Sequence, residues 1–116
     1  MKSFKKLFIL ILLAVSFGSF SSMAFADRNS TAVENITAHI DEALKSIKAN
    51  DVSGALAHNK KAKRARKELN SEQNAAKIGR LTAHFNKAKK LLKKSDLDGA
   101  AAELEKAKHG YNAIQF

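Results

Sequence analysis

Four histidines punctuate an otherwise helix-forming chain, and two of them have a carboxylate close by in sequence: His39 with Glu42, three residues on, and His109 with Glu105, four residues back. Side chains three or four apart on a helix face the same way, so each pair could chelate one ion through a neutral imidazole and a carboxylate. His84 has Arg80, Lys87 and Ala88 at those offsets, and His58 has Lys61 and Ala62, so neither has a second ligand on its own helix. Each histidine can equally be read as a half-solvated rim side chain with no ligand, and Glu105 with His109 as an ion pair. A site this sparse would take copper or nickel ahead of the weaker divalent ions, by the general affinity order.

The second chemical feature is charge. Lys60, Lys61, Lys63, Arg64, Arg66 and Lys67 crowd one stretch, and Lys87, Lys89, Lys90, Lys93 and Lys94 another. Residues 51–69 sum to +4 and 70–95 to +6, whereas 27–50 sum to −1 and 96–116 to −2. Such a basic surface suits anionic lipid, polysaccharide or other envelope polymers; the alternative is a solvated face paired with less basic neighbouring helices. Nucleic acid is the weaker anionic candidate, because aromatic residues are not interleaved with the cations: Phe85 and Tyr111 fall on apolar stripes and Phe116 is terminal. Nothing points to an enzyme. The chain has no cysteine, no phosphate-cradling glycine cluster and no zinc-protease or hydrolase-elbow pattern.

The elements that must carry these residues are helices. The apolar positions Val33, Ile36, Ile40, Ala43 and Ile47 recur at helical spacing, as do Ile78, Leu81, Phe85, Ala88 and Leu92. Thr31 followed by Glu34 has the capping-box spacing and is expected to open the first helix. Asn50-Asp51 and Ser95-Asp96 interrupt the patterns, and each Asp can accept from the amides that open the next helix. The last helix carries Leu97, Ala100, Leu104, Ala107, Tyr111 and Ile114 on one stripe. In the second helix the same stripe reads Val52, Ala55, Asn59, Ala62, Arg66 and Leu69, with polar residues at two core positions. The preferred reading is that this helix rolls to use Leu56; the other is that Asn59 and Arg66 are partly buried and paired.

An offset of 45 residues aligns the chain with itself: Thr37-Ala38-His39 meets Thr82-Ala83-His84, and 13 of 33 positions are identical. Asp51 with Asp96 and Gly54-Ala55 with Gly99-Ala100 are among them. This is the signature of a duplicated unit. The expected fold is therefore all-α, an antiparallel four-helix bundle made of two duplicated helical hairpins, 31–69 and 75–114, joined by a polar linker 70–74.

Ahead of the bundle, Lys2, Lys5 and Lys6 precede an apolar run from Leu7 to Val15, then small residues ending in Ala24-Phe25-Ala26. This is the pattern of a cleavable signal peptide, 1–26, with cleavage after Ala26. The apolar run is too short for the ~20 residues of a spanning helix. Cleavage would leave 90 residues, lower the net charge from +10 to +7, and place an exported protein, periplasmic or secreted, outside the membrane. Without cysteine, such a domain must be held by packing alone.

The segment Thr37-Ala38-His39-Ile40-Asp41-Glu42-Ala43-Leu44-Lys45, with Ala57-His58 further on, resembles the small metal-binding protein family of exported bacterial four-helix bundles. The resemblance implies the same fold and compartment over 27–116 and, taken with the two chelating spacings, low-capacity binding of copper, nickel or zinc using His39 with Glu42 and Glu105 with His109, supplemented by His58 and His84. Members of that family are histidine-rich, whereas this chain has four histidines in all.

Overall fold

A computed structural model of the chain describes residues 25–116, with side chains from Arg28 onward; the expected signal segment therefore lies almost wholly outside the described residues. Four helices pack together: α1 (Phe25–Lys48), α2 (Val52–Ala65), α3 (Ala75–Lys93) and α4 (Leu97–Ala113), with a 3₁₀ turn at Arg66–Glu68 after α2. There is no strand among the described residues. α1 packs along α2 and α3 along α4, and the ring of contacts is closed by α1 on α4 and α2 on α3.

The core is the set of stripes read from periodicity. Ile36, Ile40, Ala43, Phe85, Ala88, Leu92, Leu104, Ala107 and Tyr111 are fully buried. Phe85 and Tyr111 stack across the α3–α4 contact, with ring centroids 5.8 Å apart and planes 18° from parallel. Small residues at Ala43, Ala55, Ala62, Ala88, Ala100 and Ala107 let the helices approach closely, so few large side chains fill the interior.

The two tight turns are built alike. Asn50 and Ser95 adopt left-handed backbone angles, φ 56° and 61°. The following Asp51 and Asp96 accept from the amides of Gly54 and Gly99 at 2.9 and 3.0 Å. This satisfies one orphan donor at the start of α2 and of α4. A Cβ on either glycine would run into the capping carboxylate, which accounts for the repeated Asp-x-x-Gly.

Two expectations need correction. α1 does not open at Thr31 but extends back to Phe25. Nothing between them breaks a helix, and the added turn is anchored from outside: Asn29 Nδ2 donates to the Asn70 carbonyl at 3.2 Å and Asn29 Oδ1 accepts from the Asn70 amide at 3.0 Å. Nor does α2 roll. Asn59 stays on the core stripe, 3% exposed, and its Nδ2 donates to the Phe85 carbonyl of α3 at 3.0 Å. Leu56 packs against the core only from its edge. Arg66 is half-buried, with Nε enclosed and unpartnered. The linker is fastened too, since the buried Asn74 reaches the Gln115 carbonyl and the Ser71 hydroxyl, both at 3.0 Å.

Candidate functional site

The histidines fall on the rims of the stripes. His39, on α1, is half-buried, and burial holds its imidazole below the ordinary range. Lys61 and His58, facing it from α2, push the same way, and Glu42 opposes them. His58 Nδ1 is itself enclosed without a hydrogen-bond partner. The expected His39–Glu42 pair therefore faces His58 across the α1–α2 contact.

In the second half, His84 on α3 meets Glu103 on α4, Nδ1 to Oε2 2.6 Å apart, and Lys106 stands 3.7 Å from the other carboxylate oxygen. The hydrogen bond from His84 is the main reason Glu103 is held below the usual carboxylate range; its side chain is only 14% exposed. Helix periodicity on α3 alone could not supply this partner. The 45-residue register could, because it carries His39 onto His84 and His58 onto Glu103. His109 and Glu105 come within 3.9 Å but stand in solvent, 84% and 51% exposed. Among the described residues, no three His, Cys, Asp or Glu side chains gather where one metal ion could be held.

The basic residues assemble into something more definite. α2 and α3 each carry only cationic charge, with no Asp or Glu anywhere along them. Two such helices side by side cannot pair charges across their seam, and like charges at close range repel. A groove of about 600 Å³ opens there, a volume typical of small-molecule sites. Its walls are Leu56 and Ala57 with the methylene stems of lysines, above Phe85. Lys60, Lys63, Arg64, Arg66, Lys67, Lys89 and Lys93 line it.

Among the described residues none of these seven cations forms an ion pair, and Lys63 alone is engaged through its side chain, donating to Asn86 Oδ1 at 2.8 Å. Two polar atoms enclosed at the base also lack partners, Asn59 Oδ1 and Arg66 Nε. Of the other expected cations, Lys90 borders a shallower depression of about 370 Å³ with Lys89 and Lys93. Lys61, Lys87 and Lys94 are exposed and do not line the groove.

Beneath this region Tyr111 is fully buried, and burial holds its phenol above the ordinary range, while the nearby Thr82 hydroxyl and Arg66 guanidinium pull it back. The Tyr111 hydroxyl completes no hydrogen bond of good geometry. The polar base made by Asn59 and Arg66 is legible in the sequence only as two misfits on a stripe. No helix among the described residues is long and apolar enough to cross a membrane. The chain matches no protein-family model, no curated protein and no solved structure.

Proposed function

We propose that this chain is an exported helical binding module that holds an anionic component of the cell envelope over the seam between α2 and α3. The observation that carries the reading is the groove itself: two carboxylate-free helices with unpaired cations lining a cleft of about 600 Å³. A bound anion would replace repulsion across the seam by attraction. The test is titration with dextran sulfate at increasing salt. Exposed charges are screened beyond ~8 Å at physiological ionic strength, so affinity should fall at least tenfold between dilute buffer and that point. Binding indifferent to salt, or none in dilute buffer, refutes the reading.

The antiparallel arrangement of two duplicated hairpins belongs to the same proposal. It is supported by the matched turns at Asn50-Asp51 and Ser95-Asp96 and by the correspondence of His39 facing His58 with His84 bonded to Glu103. The signal-like segment 1–26 supports placement outside the cytoplasm.

Metal binding is the second reading. One observation favours it: His39, whose imidazole burial holds below the ordinary range, lies near His58 of the neighbouring helix, with Glu42 on its own helix. The three do not gather into a ready-made site, so copper, nickel or zinc would have to draw them together on binding. The exposed Glu105–His109 pair would add a weaker site.

A further inference from the structure

We infer that the groove takes one particular kind of anion, a single-chain amphiphile with a phosphate head, rather than a polymer lying across the surface. This inference rests on the anion-binding reading and narrows it. A polyanion needs only exposed cations, and Lys61, Lys87 and Lys94 already supply those outside the groove. The groove is different in kind. Its walls are mostly carbon, from Leu56, Ala57 and lysine stems, and its charges stand at the edge.

Such a cleft rewards a ligand that brings hydrocarbon to the walls and negative charge to the rim. The half-buried Arg66 guanidinium, with Lys63 and Lys67 beside it, is where the head would sit. Guanidinium is the side chain best suited to phosphate oxygens. Asn59 and Leu56 lie seven and ten residues back along the chain, about 10 and 15 Å on a helix. A chain directed from Arg66 toward Leu56 and Ala57 would thus run the length of α2's groove face.

The experiment is calorimetric titration of the full exported chain with monomeric dodecyl phosphate, alongside inorganic phosphate, dodecyl maltoside and dextran sulfate. Two variants separate chain from head. Ala57→Trp fills the groove from an exposed position and leaves the core alone. The double change Lys67→Gln with Lys89→Gln removes rim charge, and circular dichroism checks that both variants stay folded.

Dodecyl phosphate should bind one to one, at least tenfold more tightly than inorganic phosphate or dodecyl maltoside. Ala57→Trp should weaken it at least tenfold without altering the affinity for dextran sulfate, while the lysine variant should weaken both. If dextran sulfate binds but Ala57→Trp leaves dodecyl phosphate within twofold of the parent, the amphiphile inference falls and the anion reading stands. Equal affinity for the maltoside or for inorganic phosphate also overturns the inference. If neither dextran sulfate nor dodecyl phosphate binds in dilute buffer, both fall together.

Discussion

Replacing Asn59 with leucine should make the protein more stable, although it removes the polar contact between α2 and α3. Asn59 is 3% exposed, donates one bond to the Phe85 carbonyl, and leaves Oδ1 enclosed without a partner. The bond contributes about 1 kcal/mol net, whereas an unsatisfied buried acceptor costs about 1–3 kcal/mol. Burying a leucine side chain adds about 1.5–3 kcal/mol. Against these stands the strain of a larger side chain, about 1–3 kcal/mol in a tight core. The groove beside Asn59 gives room for it, so strain should fall at the low end. The balance is a gain of about 1–2 kcal/mol, which for a domain of this size raises Tm by roughly 5–15 °C.

The 45-residue register supplies a precedent, since the position equivalent to Asn59 is Leu104, fully buried in the second half. Urea and thermal melts followed by circular dichroism measure the effect, with Asn59→Ala as the companion. The alanine loses the bond and leaves a void but also removes the unpaired acceptor, so it should lie within about 1 kcal/mol of the parent and below the leucine variant. If Asn59→Leu is destabilised by 1 kcal/mol or more with an unchanged denaturant slope, Oδ1 has a partner, water or ligand, and the reasoning about an unsatisfied floor is wrong.

Because His84 holds Glu103 below the ordinary carboxylate pKa, the pair contributes stability that is complete above about 4.5 and lost as pH falls through the folded value. Glu103→Gln should therefore flatten the acid limb of a stability-versus-pH curve, and an unchanged limb would mean the pair contributes nothing. Gly79 sits exposed on α3 with open space around its Cα, so Gly79→Ala should stabilise by about 0.5–1 kcal/mol in urea melts. A Cβ on Gly110 would run into Leu81; Gly110→Ala should cost about 1 kcal/mol, the helix gain being outweighed by overpacking. On tag-free protein, copper titration should lose its strongest phase in His39→Ala or His58→Ala and weaken on acidification, as protons compete for imidazole; identical isotherms would end the metal reading.

Periodicity was sufficient for the core because the interior of this bundle is one apolar stripe per helix, and the turns were legible because Asp-x-x-Gly has a local cause in the amide it caps. What escaped was whatever depended on a partner distant in the chain. Asn59 looked like a misfit until the Phe85 carbonyl, 26 residues on, accounted for half of its hydrogen bonding. The first helix looked shorter because its anchor, Asn70, lies 41 residues from Asn29. Glu103 as the partner of His84 is hidden from the periodicity of α3 for the same reason and is reachable only through the 45-residue register. The basic stretches were plain in composition, but only the adjacency of α2 and α3 turns them into a cleft.

That adjacency also bears on how the molecule assembles. α1 with α2 and α3 with α4 are neighbours in sequence joined by tight turns, so each pair closes over a short loop, and topologies rich in local contacts reach the native state quickly. The seam between α2 and α3 must instead be brought together against repulsion between helices carrying +4 and +6. Added electrolyte should speed that late docking of the two halves far more than it alters either half alone. Refolding would then run faster in brackish surroundings than in dilute ones, an unusual sensitivity for a four-helix protein and one that stopped-flow traces at graded salt would register.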